Sequence, residues 1–150
     1  MKTTRRKFLG ATASTLAVAA MVPRHVLGGP KFVPPSEKVN IALVGAGGRG
    51  RNNLDELFKQ DDARVMAVAD PIEHQDLAAF YYRGVAGRKP LKTHIEKHYS
   101  EKTPKHVCAE YEDFRVMLEK EKSLDAILCA TPDHLHAYVS ILAMRAGKHV

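Results

Sequence analysis

Gly45, Gly47 and Gly50 fall in the spacing G-x-G-x-x-G within the string VNIALVGAGGRG. Each glycine has a separate task in that spacing. The first permits a tight turn out of a strand. The second lets the backbone approach a pyrophosphate, and the third lets the next helix pack closely on the sheet. The free N–H groups and positive dipole end of that helix then face the phosphates. Asp70 stands twenty positions after Gly50, at the end of ARVMAVAD. A carboxylate there accepts hydrogen bonds from the adenosine ribose hydroxyls and repels a 2′-phosphate, so it favours NAD over NADP. Arg49 and Arg51 pull the other way, because a nearby arginine accommodates that phosphate, and NADP stays open. The competing role for Asp70 is a turn or helix-capping residue. A third candidate segment, Thr131-Pro132-Asp133-His134, follows the apolar run LDAILCA, with His136 just beyond it.

Other residues with chemical potential are less telling. His94 and His98 share the i, i+4 spacing that can hold a metal, but no Glu follows His94 as in H-E-x-x-H. They read as a solvated helix face, and no C-x-x-C pair is present, so no metal is expected. Cys129 lies in an apolar run and reads as a small buried residue, while Cys108 sits in HVCAEY. A disulfide between two core strands seldom finds the required geometry.

The elements that must position these residues follow from periodicity. Val39, Ile41, Ala42, Leu43 and Val44 form the short apolar run of a buried parallel strand. Leu54, Leu57 and Phe58 give the next helix its apolar stripe. Residues 63–70 read as a second strand, with Val65, Ala67 and Ala69 alternating against Met66 and Val68. Between Pro71 and Pro104, EHQDLAAFYYR and LKTHIEKHYSEK read as two helices separated by GVAGRKP. A third strand is expected at His106–Ala109, then a helix over EDFRVMLEK with Phe114, Met117 and Leu118 inward. A fourth strand is expected at Asp125–Ala130, a helix over LHAYVSILAMRAG stopped by Gly147, and a fifth strand opening at KHV. This alternation predicts an α/β fold, a doubly wound parallel sheet of Rossmann type. Ligands in such sheets sit beyond the carboxyl ends of the strands, where the glycine loop, Asp70 and Thr131–His134 all lie.

The charge is unevenly placed. The formal net charge is +6, but five of the 23 basic residues lie in the first 28 positions, which hold no acid. The remainder balances 18 basic against 17 acidic residues, which excludes a broad nucleic-acid-binding face. Thr4-Arg5-Arg6-Lys7-Phe8-Leu9 resembles the twin-arginine export motif, and a mildly apolar stretch runs from Gly10 to Val22. That stretch is too short and too mild to span a membrane stably. Residues 1–28 are therefore expected to be an export signal, recognised by the twin-arginine machinery and delivering the protein to the periplasm or beyond. Cleavage is open between Ala17-Val18-Ala19 and the region ending at Gly28. Residues 29–38, rich in proline, are expected to form an extended linker, and 39–150 the nucleotide-binding domain.

VNIALVGAGGRG, an Asp closing the second strand, ATPDHLHA and RAGKHV, in this order, resemble the Gfo/Idh/MocA oxidoreductases. The resemblance covers residues 38–150. It implies a Rossmann domain for NAD or NADP, followed by a larger α+β domain that binds a sugar or polyol and mediates homo-oligomers. It implies that Gly45, Gly47 and Gly50, with Ala46, Gly48 and Arg49, hold the pyrophosphate, and Asp70 the ribose. Thr131 and Pro132 would border the nicotinamide side, and His136 would lie next to the active-site floor. For His134 and His136, capping and packing at a helix start is the competing role. The resemblance puts the catalytic lysine in a Glu-Lys-Pro motif just beyond Val150, so no catalytic residue is expected in these 150. They read as the amino-terminal part of an exported oxidoreductase that acts by hydride transfer and is inactive without the rest. The alternative is an exported nucleotide- or sugar-binding module that keeps the fold without the chemistry.

Overall fold

The computed structural model describes residues 33–101, 103 and 105–150. The expected export signal lies outside them, as do the first residues of the expected linker. Contacts divide the chain between Glu37 and Lys38. In the first unit, Pro35–Glu37 form a turn of 3-10 helix rather than extended backbone. Among the described residues no helix is long and apolar enough to cross a membrane.

From Lys38 onward, strands alternate with helices. In order they are β1 (Val39–Val44), α1 (Gly48–Leu57), β2 (Ala63–Ala69), β3 (Gln75–Asp76), β4 (Val85–Ala86), α2 (Arg88–Ser100), β5 (Ala109–Tyr111), α3 (Phe114–Lys120), β6 (Ala126–Cys129) and α4 (Asp133–Arg145). Four strands form one parallel sheet in the order β5-β2-β1-β6, and β3 and β4 make a separate antiparallel hairpin. The chain runs outward from β1 to β2 to β5, then returns to the other side of β1 as β6. Right-handed crossovers then require α1 and α2 on one face and α3 and α4 on the other. The two apolar clusters match: Leu54, Leu91 and Ile95 pack with Leu43 on one side, and Met117, Leu118 and Val139 with Ala42 and Val44 on the other. Each large side chain fully buried in this way contributes roughly 1.5–3 kcal/mol.

Several local expectations are corrected. Strict alternation in β2 fails, because the register slips between Ile41 and Ala42 of β1 and leaves Met66 as an extra residue. Val65 and Val68 consequently face one cluster, and Met66, Ala67 and Ala69 the other, as a β-bulge requires. EHQDLAAFYYR is not a helix. Its consecutive aromatics supply no single apolar stripe, only Leu77 is buried, and Asp76 turns the chain by accepting the Ala78 N–H at 2.8 Å. The following helix begins at Arg88, not Leu91. Pro90 sits in its first turn, where a missing N–H costs nothing.

The strand expected at His106–Ala109 forms at 109–111 instead. Side chains claim the backbone before it: Cys108 N–H donates to Glu96 at 3.1 Å, and the Lys92 ammonium donates to the Cys108 carbonyl. KHV contributes one parallel bridge, His149 with Ala126, beside β6. His94 and His98 do not form a merely solvated face. His94 contacts Asp55 at 2.7 Å, and His98 stacks on Phe58 of α1 with ring centres 3.9 Å apart. Both cysteines are free, and they belong to opposite edges of the sheet. Burial pushes the Cys108 thiol up to about 12, so it is inert.

Candidate functional site

The chain reverses its winding between β1 and β6, and a crevice opens beyond their carboxyl ends. Gly45 leaves β1 with φ +98°, a left-handed conformation suited to glycine. A side chain there would strike the Ala130 carbonyl at the end of β6 at 2.6 Å. One at Gly50 would lie 2.0 Å from the Gly45 carbonyl oxygen, so α1 can pack this closely only on glycine. Gly47 differs from both. Its φ is an ordinary −77°, and a side chain there would meet no protein atom within 4 Å. Neither backbone strain nor a clash requires glycine at this N-cap, and the space beside it is open to a ligand. No side chain caps the first turn of α1 and none there is acidic, which leaves its N–H groups for an anion.

Asp70 sits where β2 ends. Its carboxylate accepts the Ala46 N–H at 2.6 Å and the Ile72 N–H at 2.7 Å. The residue is thus a turn former and also a brace for the glycine loop. A carboxylate has about four lone-pair sites, so two hydrogen bonds leave room for ribose hydroxyls. Arg51 is not near this acid's role, since its guanidinium donates to the Val85 carbonyl at 3.0 Å. The arginine beside Asp70 is Arg88, which donates to the carbonyls of Pro71 at 2.9 Å and Asp70 at 3.3 Å, and to Glu73 at 3.3 Å. Its hydrogen-bonding face is committed to the protein.

A cavity of about 770 Å³ joins these pieces. Gly45, Ala46, Gly47, Gly48, Arg49, Asp70, Thr131 and Pro132 line it. Gly50 is buried behind the loop. His136 lies instead on an adjoining space of about 500 Å³, which shares Arg49, Tyr82, Thr131 and Pro132 with the first. Its ring Nε2 is 2.7 Å from the Thr131 carbonyl oxygen and, as the donor, ties the first turn of α4 to the preceding loop. His134 is exposed on the same turn.

Sequence reasoning missed two groups that line the larger cavity. Asp113, Phe114 and Arg115 follow β5 at the same sheet edge as Asp70. Asp113 caps α3 through the Arg115 N–H at 2.8 Å, and the hydrogen-bonded Arg115 side chain holds its carboxyl below the usual range. Their position just after a strand end was the available signal. Tyr82 reaches the glycine loop from the β3–β4 hairpin, and no local signal marks it.

A dinucleotide fits this arrangement: an open glycine turn, an uncapped helix start, an acid at the second strand end and a long crevice. Comparison with known proteins agrees. Residues 39–150 match the family model described as the oxidoreductase family GFO_IDH_MocA, NAD-binding Rossmann fold. A protein of Stenotrophomonas maltophilia named glycosyl hydrolase family 109 protein is 32% identical over 97% of this chain and 28% of its own length. An alpha-N-acetylgalactosaminidase of Shewanella oneidensis is 28% identical over 94% of this chain and 27% of its own length. The WlbA dehydrogenase of Chromobacterium violaceum, solved in complex with NADH and UDP-GlcNAcA, aligns with a TM-score of 0.51 at 25% identity, covering 81% of this chain and 29% of that one. This chain therefore spans little more than a quarter of the length of the relatives it matches. It belongs to the Gfo/Idh/MocA oxidoreductase family, and residues 39–150 are its NAD-binding Rossmann domain.

Proposed function

We propose that this domain serves an exported, NAD-dependent enzyme that acts on a sugar, polyol or derivative by hydride transfer. The observation that carries the reading is Gly47, a helix N-cap with no side chain and open space beside it, against which a ligand in the crevice can lie. The loop amides at Gly47, Gly48 and Arg49 would hold the pyrophosphate, with Ala46 and Gly50 shaping the turn. Asp70 would take the ribose hydroxyls. Thr131, Pro132 and His136 would border the nicotinamide, which when bound supplies the hydride acceptor. Arg88 is spent on backbone carbonyls, which supports NAD over NADP. The base that takes the alcohol proton is expected outside these 150 residues.

A second reading has its own support in the relatives named as glycosidases. Some glycosidases are NAD-dependent. Oxidising the bound sugar to a ketone would acidify the neighbouring C–H, so the aglycone could leave by elimination. Water would add to the resulting double bond, and return of the hydride to the ketone would complete the hydrolysis with the cofactor restored. Such a protein needs no partner to regenerate NAD, which suits export. The twin-arginine route carries folded proteins, so the cofactor can be loaded before the crossing.

One experiment separates the readings. The full-length protein is titrated with NADH and with NADPH by fluorescence, then incubated with NAD and p-nitrophenyl glycosides or the free sugars. NADH is expected to bind more tightly than NADPH. NADH accumulating with free sugar indicates a dehydrogenase, and p-nitrophenol release without net NADH indicates the glycosidase. Failure of both nucleotides to bind would refute the reading. Recovery of Arg5→Lys/Arg6→Lys protein outside the cytoplasm at the wild-type level would refute export by this route.

A further inference from the structure

Gly48 has no reason of its own to be glycine. Its φ lies outside the left-handed region, yet a side chain there would sit 2.2 Å from Cβ, 2.5 Å from Cγ and 2.9 Å from Cδ2 of Tyr82. The tyrosine fills the space that any other residue would need. It stands over the start of α1, where the uncapped amides are, and it lines both the larger cavity and the smaller one. The larger cavity reaches Asp70 and the smaller reaches His136. A dinucleotide that extends from one to the other must pass Tyr82 at its middle.

The hairpin carrying this residue is fixed at its base and exposed at its tip. Gly87 N–H donates to the Ala46 carbonyl at 2.8 Å, and Arg51 holds the Val85 carbonyl. Leu77 is buried and its N–H donates to Gly84 at 2.7 Å. Beyond these ties, Phe80 is 58% and Tyr81 91% exposed, with the Tyr81 ring set edge-on against Tyr82. Arg83 (φ +43°) is the one non-glycine with positive φ among the described residues, and Gly84 (φ +85°) follows it. The tip thus turns on a left-handed residue next to a glycine and has few contacts beyond the hairpin itself.

We propose that Tyr82 is a strap across the middle of the bound dinucleotide, a positioning residue that retards cofactor release. The inference rests on the reading of the crevice as the NAD site. The cofactor leaves only when the Tyr82 ring swings off the glycine turn, and slow release is what an enzyme working away from the cytoplasmic nicotinamide pool requires.

The test is the NADH dissociation rate of the full-length protein, followed by fluorescence after mixing with excess NAD. Tyr82→Ala is expected to release NADH at least ten-fold faster than wild type. Tyr82→Phe, which keeps the ring, is expected to stay within two-fold. Gly48→Ala leaves the hairpin sequence intact but displaces the ring, and is expected to speed release as Tyr82→Ala does. Tyr82→Leu, which keeps an apolar side chain but no ring and leaves the glycine loop untouched, decides the matter should Tyr82→Ala fail to fold, and is expected to release NADH as Tyr82→Ala does. Thermal melts of the free proteins check that the rates do not follow stability. Release within two-fold of wild type in a folded Tyr82→Ala or Tyr82→Leu protein overturns the strap while leaving the NAD reading intact. Absence of NADH binding by the wild type overturns both.

Discussion

The two ends of the parallel sheet are finished in opposite ways. At the amino end, side chains reach in and occupy the backbone. Tyr99 Oη accepts the Val65 N–H at 3.1 Å, and the His106 ring bonds the Val65 carbonyl at 2.9 Å. Arg64 clamps Asn40 at 2.7 Å, Asn40 N–H donates to Asp125 at 2.7 Å, and Lys148 holds the Leu124 carbonyl at 2.8 Å. At the carboxyl end the side chains are missing: Gly45, Ala46, Gly47 and Gly48 follow β1 in succession, and a cavity of about 770 Å³ stands where packing would be. The same strands therefore serve two purposes. One end stabilises the fold, and the other gives up packing so that backbone amides can face a ligand.

Substitutions at the two ends should separate accordingly. Gly50→Val has the largest expected effect, because its Cβ would lie 2.0 Å from a backbone oxygen. Overpacking of this kind costs about 3 kcal/mol. Urea unfolding should show the loss, and NADH binding should disappear with it. Asp70→Ala comes next, since it removes two charge-assisted hydrogen bonds from loop amides. A loss of about 2 kcal/mol in stability should accompany at least ten-fold weaker NADH binding, read by urea unfolding and fluorescence titration. Tyr99→Phe tests the other end. Losing the hydroxyl that satisfies Val65 N–H should cost about 1 kcal/mol in urea, with NADH affinity unchanged.

Acid gives the smallest effect. Burial holds the His106 ring below its ordinary value of 6.5, opposed by its hydrogen bond to the Val65 carbonyl. The unfolded chain then binds the proton more readily than the folded one. Stability from neutral His106 is full above about pH 6.5 and falls as the pH drops below it. Unfolding measured between pH 7 and pH 5 should decline less steeply in His106→Asn than in wild type.

How legible each region was follows from how local its requirements are. The turn at Gly45 and the close packing at Gly50 are set within one strand–turn–helix unit, so spacing alone exposed them. Asp70 was legible by its distance from the loop, although its bond to Ala46 was not. Gly48 could not be understood locally, because the reason for it is Tyr82, 34 positions away in the chain. HVCA looked like a strand because it is apolar, but Glu96 and Lys92 on α2 claim the backbone of Cys108 first. The bulge at Met66 was hidden because both faces of β2 are buried, so apolar residues mark no register.

The decisive variant is Gly47→Ala. This glycine is the N-cap of α1 with an ordinary φ of −77°, and a Cβ added to it would find no protein atom within 4 Å, so neither strain nor a clash requires glycine there. With the cofactor lying against this loop, stability in urea is expected to stay within about 1 kcal/mol of wild type, while NADH affinity falls at least ten-fold in a fluorescence titration. Wild-type affinity in the folded variant would contradict that placement, because the glycine loop would then not be where the cofactor lies.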